Sequence, residues 1–259
     1  MFNHNISFAG AGKVAAALCR KIYETGIKID LIVSVSEENG RSLAESCGAH
    51  WSPEPEFPLS TDLILVAVPD HKLGNVLENI KCRPGTLVAH TAGSIGLEIF
   101  PECLSGKGVF YPLQTFSKER KVDFSDLPFL LESTDEQSSD LLEALATSIG
   151  GKAYFVSTEK RIMLHLAAVF ICNFTNHMLT DGKLVAEKAG FPFEIFYPLM
   201  KETVSKAIEL GPEKSQTGPA VRHDQNTIEK HLELLSFSPE LRKIYMEMTM
   251  AIINYYNKL

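Results

Sequence analysis

Ile6-Ser7-Phe8-Ala9-Gly10-Ala11-Gly12-Lys13-Val14-Ala15 is the stretch that decides the fold. Its first four residues read as a short buried strand, and Lys13 to Glu24 reads as a helix with Val14, Leu18 and Ile22 on one face. Between strand and helix lies G-x-G-x-x-A. The first glycine permits a tight turn, the second lets the backbone come close to a pyrophosphate, and the small Ala15 allows close helix–strand packing. Unbonded N–H groups at the helix start then face the anion. Gly10, Ala11, Gly12, Lys13 and Val14 are therefore the expected dinucleotide cradle. Lys13 is not a Walker lysine, because the GxxxxGK[ST] frame is absent.

The alternation continues outward from this unit. A strand from Asp30 to Val35 is followed by a helix over 37–47 and by the nearly unbroken apolar run Asp62-Leu-Ile-Leu-Val-Ala-Val68. Such a run suits a strand covered on both faces. Helix 71–80, strands 86–90, 108–111 and 128–132, helix 136–149 and strand 152–156 complete this half. Strands alternating with helices predict a doubly wound parallel sheet, an α/β fold with right-handed crossovers. After Ser157 the rhythm stops. Long helical patterns cover 159–189, 193–210, 226–236 and 239–258, with Pro192, Pro212, Pro219 and Pro239 at the joints. The expected organisation is a Rossmann-type dinucleotide-binding domain over 1–157 and an all-α substrate and dimerisation domain over 158–259.

Composition narrows the function classes. The chain has 259 residues, 25 basic and 32 acidic, for a net charge of −7. That offers no basic field, so neither nucleic acid nor an anionic membrane is an expected partner. The five cysteines (Cys19, Cys47, Cys82, Cys103 and Cys172) are odd in number and contain no CxxC pair. A disulfide framework and a bound metal are not expected, and a reducing cytoplasm is. The N-terminus has no basic region of a signal peptide. The longest apolar stretch, Ile162 to Cys172, is shorter than the ~20 residues of a membrane span and reads as a buried helix.

The ligand-facing residues are expected at the carboxyl ends of the strands. The second strand ends Val33-Ser34-Val35-Ser36, without the acid that holds an NAD ribose about 20 residues beyond the glycines. Two hydroxyls, with Arg41 one turn on, suit a 2′-phosphate, so the expected cofactor is NADP rather than NAD. Val68 and Pro69, with Thr91, Ala92 and Gly93, are expected along the cofactor; Ser94, Gln114 and Thr115 along the substrate. Asp70 reads as the N-cap of helix 71–80.

In the helical half, only His165 and Asn173 interrupt thirteen otherwise apolar residues from Ile162 to Phe174. A helix apolar all round needs cover all round, from other helices or from a second subunit. The terminal stripe Leu241, Ile244, Tyr245, Met248, Ile252 and Tyr255 adds to the expectation of a homodimer. Imidazole can move protons near neutral pH, which makes His165 the expected proton donor, with His71 and His90 as rivals. Asn173 flanks it, and Asn176 falls about 20° from it around an ideal helix. Arg222, in the loop Thr217 to Asp224, is an expected carboxylate fork, and Asp224 an expected helix cap.

The glycine loop, the strand ending Ala67-Val68-Pro69 and the all-helical second half resemble the 6-phosphogluconate dehydrogenase-like superfamily, which includes pyrroline-5-carboxylate reductases, ketopantoate reductase and β-hydroxyacid dehydrogenases. His90-Thr-Ala-Gly-Ser, Pro112-Leu-Gln-Thr-Phe, His165 with Asn173, and Thr217-Gly-Pro-Ala-Val-Arg-His-Asp224 are similar to one subfamily. Its members are uncharacterised bacterial NADP oxidoreductases with a Rossmann-like domain and a domain of unknown function. Tyr111 departs from that pattern, which has histidine there. The resemblance implies an NADP-dependent oxidoreductase of a small carbonyl or imine, such as an oxo or imino acid. The superfamily's hydroxyacid enzymes carry a catalytic lysine and an anchoring asparagine on the first long helix. Here His165 and Asn173 are the expected pair. The alternative is a non-catalytic, dinucleotide-binding or redox-sensing dimer.

Overall fold

Every residue of β1 (Ile6–Ala9), β2 (Ile29–Val33), β4 (Leu63–Val66) and β5 (Leu87–His90) is buried, which requires helices on both faces of the sheet they form. The computed structural model describes residues 2–117 and 120–258. With β3 (His50–Ser52), β6 (Gly106–Pro112), β7 (Pro128–Ser133) and β8 (Lys152–Phe155), the strands make one sheet in the order β3-β2-β1-β4-β5-β6-β7-β8. On one face α1 (Lys13–Glu24), α2 (Glu37–Ser46) and α4 (Glu136–Ser148) bury Leu18, Ile22, Leu43, Leu142 and Leu145 against Phe8, Phe110 and Phe129. On the other, α3 (Asp70–Asn79) sets Leu73 and Leu77 against Ile64, Val66 and Val88.

Two features correct the expected sheet. The edge strand β3 pairs in parallel with β2, although His50-Trp51-Ser52 lacks the apolar run that marks a strand. And β7 runs antiparallel to β6, pairing Phe110 with Leu131 and Pro112 with Phe129. The link from Leu113 to Leu127 carries no helix among the described residues, so it returns beside β6 rather than crossing over.

The helical half begins at α5 (Thr158–Ala168), where Ser157 caps the first turn through Lys160 N at 3.4 Å. It continues through a π-helical turn, Val169–Phe174, into α6 (Thr175–Lys188), and then α7 (Tyr197–Leu210), the short α8 (Pro212–Ser215), α9 (Gln225–Leu234) and α10 (Pro239–Tyr256). By packing the chain divides into two compact units, residues 1–173 and 174–259. The first includes α5 because α5 is fastened to the sheet by a buried ion pair. Arg161, fully buried, pairs with Glu132 of β7 and donates to Ile95 O at 2.5 Å, while the Thr158 hydroxyl donates to Glu132 Oε2 at 2.8 Å.

In the second unit the α10 stripe lines an apolar cavity of about 290 Å³ with Met178 and Val185 of α6, and the Tyr245 hydroxyl meets His231 Nδ1 at 2.8 Å. Within the stripe Leu241 is buried, while Met248 is 48% and Tyr255 50% exposed. The expected all-round burial of Ile162–Phe174 is not met within one chain: Met163 is 64%, Phe170 60% and Ile171 76% exposed. The continuous helical run Thr158–Lys188 is long and apolar enough to cross a membrane, and none of its most apolar window, of mean hydropathy 1.4, is buried.

His90 ends β5 fully buried, its Nδ1 accepting from Ala92 N at 3.2 Å and its ring stacked on Phe100. Burial, reinforced by the Arg161 charge, pushes its pKa down to about 4. The folded chain then refuses a proton that the unfolded chain accepts below pH 6.5, so stability falls as pH drops from 6.5 towards 4. The loss from this group reaches about 3 kcal/mol. Urea unfolding at pH 7 and pH 5 is expected to show this, with a smaller drop in His90→Leu; equal pH dependence in the two proteins would contradict the assignment.

Candidate active site

The glycine turn has the shape that its sequence predicts. Gly10 sits at φ +115°, where a Cβ would stand 2.2 Å from Ala67 O, and its N–H donates to Val33 O at 2.7 Å. Only glycine fits there. Gly12 is the N-cap of α1, and a Cβ built on it meets nothing within 4 Å. No side chain caps α1 and no acid occupies its first turn, so the N–H groups of Lys13, Val14 and Ala15 face outward beside open space. This cradle fits a dinucleotide pyrophosphate. Val68 is half-buried and Pro69 exposed at the end of the neighbouring β4 segment.

The residues expected around a 2′-phosphate are engaged elsewhere. Ser34 is buried, donating to Ser36 O at 2.8 Å and accepting from Trp51 Nε1 at 3.2 Å. Ser36 caps α2, accepting from Asn39 N at 3.4 Å and Asn39 Nδ2 at 2.9 Å. Arg41 binds Glu37 at 2.8 Å, with its guanidinium 4.5 Å from the centre of the Trp51 ring.

At the carboxyl ends of β4, β5 and β6 the loops converge. Asp70 is the first residue of α3 rather than its cap, which is Pro69; its carboxylate accepts the Ser94 hydroxyl at 2.9 Å. Thr91 N donates to Val66 O at 3.1 Å, which pins the turn that carries Ala92 and Gly93. A Cβ on Gly93 would lie 2.7 Å from His165 Nδ1 and 2.8 Å from Tyr111 Cζ. Against this glycine, the Tyr111 hydroxyl and His165 Nδ1 share a hydrogen bond of 2.9 Å, their rings edge to face. Burial, and then the Asp70 charge, raise the Tyr111 pKa, so the phenol keeps its proton at neutral pH. Among the sheet's histidines His90 is buried with a depressed pKa, and His71 is exposed on α3.

The expected residues Gln114, Thr115, Asn173, Asn176 and Arg222 are all exposed. Gln114 and Thr115 are exposed and bonded to one another at 2.8 Å. Asn173 is exposed in the π-helical turn. That wider i→i+5 turn invalidates the ideal-helix angle that set Asn176 beside His165. Asn176 and Arg222 are both exposed and belong to the second compact unit. Asp224 caps α9 through Thr227 N at 3.1 Å, and the Thr227 hydrogen bonds, with Arg222 nearby, hold its carboxyl low. Sequence reasoning missed Tyr111 as the partner of His165, although its departure from the family pattern was the available signal.

A Rossmann-like domain model matches residues 4–114, and the domain of unknown function DUF2520 matches residues 127–252. The crystal structure of a candidate NADP oxidoreductase from Bacteroides fragilis is 36% identical, over 97% of this chain and 98% of that one, with a TM-score of 0.89. A pyrroline-5-carboxylate reductase from Coxiella burnetii, 20% identical over 98% of each chain, has a TM-score of 0.59. A reductive aminase from Aspergillus terreus, solved with NADPH and ethyl-5-oxohexanoate, is 11% identical over 98% of this chain and 94% of that one, with a TM-score of 0.74. These two share the fold. No curated protein sequence matches. At 36% identity over nearly its whole length, the chain, a Rossmann-like domain followed by DUF2520, belongs to the same family as the Bacteroides protein.

Proposed function

We propose that this protein is an NADP-dependent oxidoreductase that reduces a small carbonyl or imine, with Tyr111 and His165 delivering the proton. The observation that carries this reading is the 2.9 Å bond between the Tyr111 hydroxyl and His165 Nδ1, pressed against Gly93 at the carboxyl ends of the strands. The related Bacteroides protein is described as a candidate NADP oxidoreductase, and the reductive aminase of the same fold was solved with NADPH. The residues Gly10 to Val14 hold the pyrophosphate with backbone N–H groups, flanked by Val68, Pro69 and Thr91 to Gly93.

Bound NADPH supplies the hydride. Reduction of C=O or C=N also needs a proton at the heteroatom, and general acid catalysis typically contributes ~10²–10⁴-fold. The Tyr111 hydroxyl gives its proton to the substrate oxygen or nitrogen, and His165 relays a replacement to the phenolate from Nδ1 while its Nε2 takes up a proton from solvent. The buried phenol holds that proton until the substrate develops negative charge. Ser94, fixed by Asp70, and the exposed Asn173 amide are the proposed substrate anchors. Five free thiols suit a reducing compartment.

The exposed apolar face of α5 and the π-helical turn supports a homodimer in which a second copy covers it. Met163 and Ile171 are too exposed for a chain that meets only water, and a self-complementary two-fold contact is the commonest cover. Light scattering is expected to give twice the chain mass of 28.7 kDa at micromolar concentration; a single-chain mass would contradict the dimer.

Small oxo and imino acids screened with NADPH, read by loss of nicotinamide absorbance, are expected to yield a substrate. With it, Tyr111→Phe and His165→Ala should each lower turnover at least ~10²-fold while NADPH affinity stays within about twofold. A folded His165→Ala protein that keeps more than about a tenth of the turnover would remove His165 from the proton path. Gly12→Asp should abolish NADPH binding, since it sets a carboxylate where the pyrophosphate lies; undiminished binding would move the cofactor elsewhere.

A further inference from the structure

From the glycine turn a cavity of about 320 Å³ extends beyond the expected site. It opens at Ala11 and Gly12 and runs along the groove between α1 and α2, bounded on the other side by Ser117, Arg120, Val122 and Phe124. Lys13, Arg20, Lys21, Arg120 and Lys121 line it, against a single carboxylate, Glu24. Among the described residues none of these five cations has an ion-pair partner, although the chain as a whole is acidic. Asn39 and Ser42 of α2 add neutral hydrogen-bonding groups to the opposite wall.

An acidic protein that gathers five unpaired cations into one concave groove creates a local anion site, because low-dielectric walls concentrate the field. The groove starts at the residues that cradle the pyrophosphate. The group expected to neutralise a 2′-phosphate, Arg41, is held instead by Glu37 and Trp51, and the Ser34 hydroxyl is committed to Ser36 and Trp51. We propose that this groove, through Lys13, Arg20 and Lys121, takes the 2′-phosphate of the cofactor and sets the preference for NADPH over NADH. The inference rests on the NADP reading above and names the residues that carry it out. The dianionic phosphomonoester is the chemistry the groove selects; the rest of the dinucleotide is common to both cofactors.

The test is calorimetric titration of wild type, Arg20→Gln and Lys121→Gln with NADPH, NADH and 2′,5′-ADP. Arg20 and Lys121 are exposed, and unchanged circular dichroism and thermal midpoints verify folding. Wild type is expected to bind NADPH more tightly than NADH, with the steeper dependence on salt. Each variant should weaken NADPH and 2′,5′-ADP by ~10-fold or more while NADH stays within about twofold, as loss of a charge-assisted hydrogen bond predicts. Variants that keep the wild-type NADPH to NADH ratio, or that weaken both cofactors equally, would overturn the groove assignment and leave the cofactor reading standing. A wild-type protein that binds neither nucleotide would overturn both.

Discussion

The buried pair of Arg161 and Glu132 is the interaction on which the arrangement of the candidate site depends. One guanidinium ties three segments together: the start of α5, the end of β7, and the loop after β5 through Ile95 O. Breaking such a pair by removing one partner typically costs about 3–5 kcal/mol, because the remaining charge is stranded without water. Its position makes that cost local. Arg161 is one helical turn before His165, and Ile95 is two residues after Gly93, so the pair sets the distance between the imidazole and the glycine it rests on. The same charge also disfavours protonation of His90, which keeps that imidazole neutral within the sheet.

Electrostatics separates the titratable groups into distinct tasks. Asp70 binds Ser94 and raises the phenol pKa of Tyr111 from nearby. His90 is neutral, stacked and inside the sheet, whereas His165 is half-buried and shares its Nδ1 with a phenol that faces the carboxyl-end loops. A donor must carry its proton at neutral pH and reach the substrate. The raised pKa of Tyr111 meets the first condition, whereas the fully buried His90, its pKa depressed, meets neither.

The dinucleotide half was legible because its signals are local. Gly10 is demanded by a backbone contact with Ala67 that any side chain would destroy, and the all-apolar run ending at Val66 can only be a strand covered on both faces. The reversal at β7 was not legible. An antiparallel return depends on what the segment from Leu113 to Leu127 fails to form, and apolar residues alternate alike in either direction. Arg161 was hidden for a similar reason: beside Glu159 and Lys160 it reads as part of a solvated first turn, and only tertiary contact with Glu132 reveals it as core. Tyr111 stood where a family pattern has histidine, and its importance emerged only when α5 brought His165 to its hydroxyl. Local propensity is silent about partners 54 residues apart.

The central claim is that the Tyr111–His165 pair faces the reacting end of the cofactor. A crystal structure of the protein with NADP⁺ tests it most directly. The account predicts the pyrophosphate on Gly10 to Val14 and the nicotinamide ring beside Thr91 to Gly93, with the Tyr111 hydroxyl and His165 bordering the space in front of its C4. A nicotinamide ring seated away from that pair, or with its C4 face sealed against protein, would contradict it.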